Sequence, residues 1–283
     1  MAHKEVKNKI NSGLYLVSTP IGNLKDITLR ALDVLSASNI ILCEDTRVSK
    51  KLLSHYKINK KIISYHKFNE KKILESIIDS LVKGQVVSLV SDAGTPAISD
   101  PGKILINRCI EEKISIIPIP GASAVITALS VSGFDDKFYF HGFLSDTDHS
   151  IKKEFKFFDT INCSVVFFIS AQKLKKKFQL LRQFLIDREI LICRELTKLH
   201  ETFYRGKVSE VNNFDFKTKG EVTVVISQKK DNEDTELNES DKQKIKKLIP
   251  KNSIKDIVRI FSEEKNISKS KIYNYCLQIK NEK

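Results

Sequence analysis

The first two-thirds of the chain alternate short apolar runs with stretches whose apolar residues recur at helical spacing. Residues 14–18, 40–43, 85–90 and 114–118 are apolar runs of strand length. Residues 28–37, 48–56, 70–83 and 102–111 carry the helical pattern; in the third, Ile73, Leu74, Ile77, Ile78 and Leu81 fall on one face. Strand–helix alternation of this kind predicts an α/β domain built on a largely parallel sheet. Pro118, Pro120 and Gly121 interrupt the pattern. A helix over 123–131 comes next, rich in small and apolar residues, which predicts burial between layers. Strands are then expected at 138–143, 164–169, 189–193 and 221–227, with a helix over 172–184, giving a second α/β unit.

Composition changes after residue 230. Residues 231–241 hold six acidic side chains and no basic one, the signature of a solvated linker. Residues 242–283 reverse the sign, with twelve Lys and Arg against four acids, a net +8 of the +13 carried by the whole chain. Two helical patterns lie there, one on Ile254, Ile257, Val258 and Phe261, the other on Ile272, Tyr275, Cys276 and Ile279, with a turn at 266–268. The expected organisation is therefore an N-terminal α/β domain (1–120), a second α/β domain (121–230), an acidic linker (231–241) and a basic helical appendage (242–283). The appendage reads either as an RNA-binding element or as a packed helical pair with solvated lysines. Net charge alone favours polyanionic partners, although Lys is abundant along the whole chain.

No run approaches the roughly 18 apolar residues of a spanning helix, and the first eleven residues are polar. No membrane partner is expected, and a cytoplasmic location is. The five cysteines are scattered without a C-x-x-C pair, which argues against a disulfide framework or a zinc site. Cys43, Cys163 and Cys193 read as small core residues.

Several familiar chemistries are missing. The loop after the first strand, Thr19-Pro20-Ile21-Gly22-Asn23-Leu24, lacks the glycines of a dinucleotide fingerprint. No phosphate-binding P-loop and no G-x-S-x-G elbow occurs. The strongest strand instead leads into Ser91-Asp92-Ala93-Gly94-Thr95-Pro96, small residues that let a ligand approach a strand end. Asp92 suits a ribose or amino group, or is a turn residue. Asp100 and Pro101 read as the N-cap and first position of the next helix.

Together with that loop, Thr19 to Leu24, Glu44-Asp45-Thr46-Arg47, His66-x-x-Asn69-Glu70, Ile126-Thr127-Ala128-Leu129 and Arg194-Glu195-Leu196-Thr197-Lys198 occur in register. The set resembles the ribosomal small-subunit methyltransferase I family, which belongs to the tetrapyrrole-methylase-like, class III methyltransferases. The resemblance spans about residues 13–227. It implies two α/β domains with S-adenosylmethionine in the cleft between them. It implies 2'-O-methylation of a cytidine ribose in 16S rRNA near the decoding centre, with the small ribosomal subunit as partner, and a homodimer. Pro20, Asp92, Ala93, Thr95, Thr127 and Ala128 are then expected at the cofactor, and Glu44, Asn69, Glu70, Glu195 and Lys198 at the substrate. A ribose hydroxyl is a poor nucleophile, so Asp45, Arg47 and His66 are the candidate catalytic groups. Each has a simpler reading: Asp45 as a helix cap, His66 as a loop histidine bonded to backbone, Thr127 as a hydroxyl bonded within its own helix.

One stretch departs from the family pattern. Where relatives usually carry Tyr-Glu-Ser/Ala-x-His-Arg, this chain has Phe168-Ile169-Ser170-Ala171-Gln172-Lys173. That puts substrate affinity or target in question while leaving the Asp92 loop untouched. Lys173, Lys175, Lys176 and Lys177 are candidate replacements for the lost charge. Two other functions fit the same fold: methylation of a small molecule such as a corrinoid precursor, and a non-catalytic RNA-binding assembly factor.

Overall fold

Strands buried on both faces dictate the layers. In a computed structural model, residues 10–229, 237–250, 252–265 and 269–281 are described. The chain divides into two compact units, up to Ser227 and from Gln228 onward.

The first unit opens with β1 (Gly13–Val17), α1 (Leu29–Ala37), β2 (Ile40–Cys43), α2 (Thr46–His55), β3 (Lys61–Ser64), α3 (Glu70–Val82), β4 (Val86–Leu89), α4 (Lys103–Glu111) and β5 (Ile116–Ile119). The strands form one parallel sheet in the order β3-β2-β4-β1-β5. Leu14, Leu42, Val87 and Leu89 pack against α3 and α4, while Tyr15, Val17, Ile41 and Cys43 pack against α1 and α2. Period-two alternation thus sends each strand's side chains to two helical layers, as a doubly wound sheet requires. Thr28 caps α1 by accepting from the Ala31 N–H at 3.1 Å. Strand β3 escaped the sequence pattern because Lys61-Ile62-Ile63-Ser64 is a short run at the sheet edge.

Helix α5 (Ala124–Ser130) leads into β6 (Phe138–Phe143), α6 (Asp148–Thr160), β7 (Ser164–Ser170), α7 (Ala171–Leu185), β8 (Glu189–Arg194), β9 (Thr202–Lys207) and β10 (Glu221–Ile226). These strands form a second sheet in the order β6-β7-β10-β8-β9, parallel only between β6 and β7. Phe155, Phe158, Leu174, Phe178 and Leu181 of α6 and α7 cover one face. Val125 and Ala128 of α5 cover the other, against Val166, Leu191, Cys193 and Val225. Helix α5 is buried on that side only, since Ile126 is exposed. Helix α6 and strand β9 went unpredicted.

The second unit contains α8 (Glu239–Leu248), α9 (Ile254–Lys265) and α10 (Lys269–Asn281) around Leu237, Ile245, Ile257, Phe261, Ile272 and Cys276. Helix α8 begins inside the stretch expected to be linker. Asn238 caps it, accepting from the Asp241 N–H at 2.8 Å, and Glu239 and Asp241 sit in its first turn, where acids complement the helix dipole. Acidic composition there marks a helix start rather than a solvated link. Residues 231–236 and the expected turn at 266–268 lie outside the described residues. Cys43, Cys109, Cys193 and Cys276 are buried free thiols and Cys163 is half-buried. No helix among the described residues is long and apolar enough to cross a membrane.

Candidate active site

In the first sheet β1 leads away to β2 on one side, while its neighbour β4 leads to β5 on the other. Such a reversal opens a crevice at the carboxyl ends of the two strands. Here the two loops are tied together. Thr19 and Gly94 exchange backbone hydrogen bonds of 2.9 and 3.0 Å, and the Thr19 hydroxyl donates to the Ser91 carbonyl at 3.2 Å. Ser91 Oγ donates to the carbonyls of Ala93 and Gly94, both at 3.2 Å. Gly94 has φ +79°, a left-handed conformation that other residues resist, and a Cβ there would meet Ile21 at 3.3 Å.

The opposite wall is the loop after β8. Glu195 and Thr197 are non-glycine residues at φ 53° and 63°, a costly conformation that persists only where surroundings enforce it. The Glu195 carboxylate accepts from the Glu221 N–H at 2.9 Å and from Lys198 Nζ at 3.1 Å. Lys198 also pairs with Glu221 at 2.8 Å. Thr197 Oγ1 accepts from the Asn23 N–H at 3.0 Å, stitching this loop to the one after β1. Gly22 sits at the seam, where a Cβ would fall 2.6 Å from the Leu196 carbonyl oxygen and 2.6 Å from Thr197 Oγ1. Gly22→Ala is therefore expected to destabilise the fold by about 1–3 kcal/mol, the usual range for overpacking. Thermal unfolding checks this: Tm should fall by about 2–4 °C per kcal/mol in a unit of this size, with cofactor affinity reduced because Leu196 and Lys198 line the cavity.

Between these walls lies a cavity of about 380 Å³, within the roughly 300–1,000 Å³ of small-molecule sites. Ile21, Phe143, Phe168, Ile169 and Leu196 give it an apolar side suited to a purine ring, and Asp92 and Asp100 give it an anionic one. Lys198 is its one cationic lining residue, and that charge is held by Glu195 and Glu221. Carboxylates repel a polyphosphate and attract a cation. The residues therefore fit an adenosine bearing an amino group and a sulfonium, and they do not fit a nucleoside triphosphate or a dinucleotide.

The sequence-predicted residues distribute unevenly. Asp92, Ala93 and Lys198 line the cavity. Thr95 does not, but its hydroxyl joins Ser18 Oγ at 3.1 Å and the Ala122 carbonyl at 3.4 Å, bracing the loops around it. Pro20 is buried beside the lining residue Ile21. Thr127 is half-buried on α5, and Ala128 is fully buried against the second sheet, whereas Ala124 of the same helix lines the cavity. Glu195 acts through Lys198. Glu44, Asp45, His66 and Asn69 sit on the loops after β2 and β3, and Arg47 and Glu70 in the first turns of α2 and α3, all at the same carboxyl edge of the sheet.

Several of these edge residues have clear local tasks. Asp45 caps α2, accepting from the Arg47 N–H at 2.8 Å, and pairs with Arg47 Nη2 at 2.6 Å. Hydrogen bonding from the Arg47 side chain, then from its backbone N–H, holds this carboxyl at about 2. The Asp45 N–H in turn donates to Asp92 Oδ1 at 3.0 Å. His66 Nδ1 accepts from the Phe68 N–H at 3.3 Å. Asn69 bonds the His66 N–H and the Ser64 carbonyl, both at 2.8 Å, and Glu70 accepts from the Tyr65 hydroxyl at 3.3 Å. Burial first, and then the Asp92 charge, raise the Glu44 carboxyl above its ordinary value.

Asp100 is the residue that sequence reasoning misplaced. It does not cap α4: Gly102 holds that position and the helix starts at Lys103. Asp100 instead lines the cavity. Burial, then the charges of Glu44 and Asp92, push its carboxyl up to about 6 against the opposing Ser91 hydroxyl. The Asp-Pro-Gly run resembles a helix start so closely that no sequence signal separated the two roles. The departing stretch is also closer to the chemistry than expected, because Phe168, Ile169 and Ser170 face the same cavity as Asp92 and Ala93. An apolar side chain at 169 contributes to the wall while its body joins the core of the second sheet. Lys173 and Lys177 pair with Asp146 and Asp148, leaving Lys175 and Lys176 as the exposed lysines of that run not engaged by those acids.

The chain is similar in sequence and in fold to known proteins. The family profile described as Tetrapyrrole (Corrin/Porphyrin) Methylases matches residues 13–212. A Ribosomal RNA small subunit methyltransferase I from Mesomycoplasma conjunctivae is 46% identical over 216 residues, 76% of this chain and 90% of that protein. The protein of that name from Neisseria meningitidis serogroup A is 36% identical over 277 residues, covering 96% of this chain and 95% of its own length. Among solved structures, diphthine synthase superposes with a TM-score of 0.59 at 14% identity, covering 76% of this chain and 89% of that one. A cobalt precorrin-4 methyltransferase gives 0.54 at 17% identity, covering 76% and 94%. The two-sheet fold, the cavity at its switch point and identity over most of two full-length proteins converge: this chain belongs to the tetrapyrrole methylase family, in the branch of the ribosomal RNA small-subunit methyltransferase I proteins.

Proposed function

We propose that this chain transfers a methyl group from S-adenosylmethionine to the 2'-hydroxyl of a cytidine ribose in 16S rRNA near the decoding centre. The observation that carries the RNA reading is sequence identity with rRNA methyltransferases along 96% of the chain, basic appendage included. The corrinoid alternative rests on the broad family profile and on fold, since the cobalt precorrin-4 methyltransferase shares only 17% identity.

S-adenosylmethionine supplies an electrophilic methyl on a sulfonium leaving group. The chain's own residues supply placement and proton management. Ala93 and Gly94 let the cofactor approach the backbone, Asp92 receives its polar end, and the apolar wall around Phe168 and Ile169 receives its ring. Pro20, Thr95, Thr127 and Ala128 fix the loops and helix that frame this pocket. Asp100 takes the hydroxyl proton: it lines the cavity and its carboxyl lies near 6, whereas Asp45 at about 2 is too weak a base. Arg47, 86% exposed, offers its guanidinium to an RNA phosphate. Glu44, His66, Asn69 and Glu70 shape the rim on which the substrate rests, and Glu195 positions Lys198 on the far wall.

Calorimetric titration with S-adenosylmethionine tests the enzymatic reading. Saturable one-to-one binding is expected; no binding would favour a non-catalytic assembly factor. The active form is a cytoplasmic homodimer under the same proposal, so sedimentation should give twice the 32.3 kDa of one chain. The basic helices act as an RNA arm. Deleting residues 242–283 should lower the slope of log K against log salt by at least about 1.4, two phosphate contacts at about 0.7 each. An unchanged slope would assign those lysines to solvent.

A further inference from the structure

Phe68 is 95% exposed, yet the turn that carries it is built to hold it still. Asn69 clamps both ends of that turn through the His66 N–H and the Ser64 carbonyl. The Phe68 N–H is held by His66 Nδ1 at 3.3 Å, and the two rings meet edge-on with centroids 6.1 Å apart. Helix α3 starts two residues later. The ordered turn thus presents a flat apolar ring to solvent, a shape that suits stacking on a planar partner.

The surroundings say which. Residues 46–72 contain nine Lys and Arg and a single acid, Glu70. That net +8 equals the appendage's in fewer residues, and it lies on α2, β3, the first turn of α3 and the loops between them. Arg47, Lys50, Lys67, Lys71 and Lys72 are all exposed there. The β3 turn shares the carboxyl edge of the parallel sheet with the loops that bear Asp92 and Asp100. An exposed aromatic ring in a cation-rich segment is the pattern of single-stranded nucleic-acid binding, with stacking on a base and phosphates on the lysines.

We infer that Phe68 is a stacking platform for an unpaired nucleobase of the RNA substrate, close to the nucleotide whose ribose enters the cavity, with the neighbouring lysines and Arg47 taking the flanking phosphates. This rests on the RNA function proposed for the chain. A second copy of the chain or an apolar protein partner would use the ring without the charge.

The chain contains no tryptophan, so Phe68→Trp places a sole indole reporter at the platform. Binding is measured with a fluorescein-labelled single-stranded oligocytidylate and with small ribosomal subunits from cells lacking the gene. Phe68→Ala should weaken both by about 5- to 150-fold, the usual worth of one stacked base, with S-adenosylmethionine affinity unchanged. Phe68→Trp should bind like the parent, and its emission should be quenched as unlabelled oligocytidylate saturates it. Unchanged RNA affinity in Phe68→Ala, or unquenched emission at saturation, would overturn the inference while leaving the RNA reading intact. Emission that changes only with protein concentration would assign the ring to self-association. Failure of the parent chain to bind or methylate either RNA would instead remove the RNA reading, and this inference with it.

Discussion

Asp100→Asn is expected to lower kcat for methyl transfer by about 10²–10⁴-fold, the usual contribution of a positioned base. In the parent chain the rate should rise with pH through a midpoint near 6, as Asp100 loses its proton, and level off above it. The variant should lose that rise. Burial first, then the charges of Glu44 and Asp92 against the Ser91 hydroxyl, set this value, so the profile reports on the cavity as a whole. A stability signature accompanies it. The folded carboxyl sits near 6 against an ordinary 3.8, so between about pH 4 and 6 the folded state keeps a proton that the unfolded chain has released. Stability from this group is therefore greatest at low pH and falls as pH rises through that window. Urea unfolding of parent and variant at pH 4 and pH 7 should show the difference between them changing in that direction. A parent pH–rate profile flat from 5 to 8 would take the proton-acceptor role from Asp100.

Asp92→Ala should weaken S-adenosylmethionine binding by about 10- to 150-fold, corresponding to about 1.5–3 kcal/mol for a hydrogen bond to a charged group. The side chain has a second task, since Oδ1 accepts from the Asp45 N–H at 3.0 Å and so ties the loop after β2 to the cavity. Asp92→Asn separates the two. Its carbonyl still accepts from Asp45 while its charge is gone, so a large loss in both variants assigns the effect to the cation it faces. A large loss in the alanine variant alone would assign it to the loop tie. Unchanged affinity in both would remove Asp92 from the cofactor site.

The first domain was legible because its strands are buried on both faces. Runs such as Ile40 to Cys43 and the helical face of Ile73 to Leu81 leave little ambiguity about period. Edge elements were not. Lys61 to Ser64 is buried less than its neighbours, and Thr202–Lys207, an outer strand, has only the adjacent pair Phe203 and Tyr204 as large apolar residues and so no strand period. The acids at 239 and 241 carried a composition signal for a linker and a positional signal for a helix start, and the second decided the structure. In the site, the Asp92 loop was readable because small residues after a strong strand have few other uses. Asp100 was not, because a cap and a half-buried carboxylate share one sequence. The convergence of residues 168–170 on Asp92 depends on how the two sheets meet, which no local pattern encodes. Gly22 and Thr197, distant along the chain, likewise meet only in the fold.

The function turns on which atom of the RNA is methylated and where. Small ribosomal subunits from cells lacking the gene, incubated with this chain and methyl-tritiated S-adenosylmethionine and digested to nucleosides, give the answer directly. The predicted result is label in a single species, 2'-O-methylcytidine, from one site in 16S rRNA, lost in Asp92→Ala. Label on a base, on a different nucleotide, or absent from RNA while S-adenosylmethionine binds normally would contradict it.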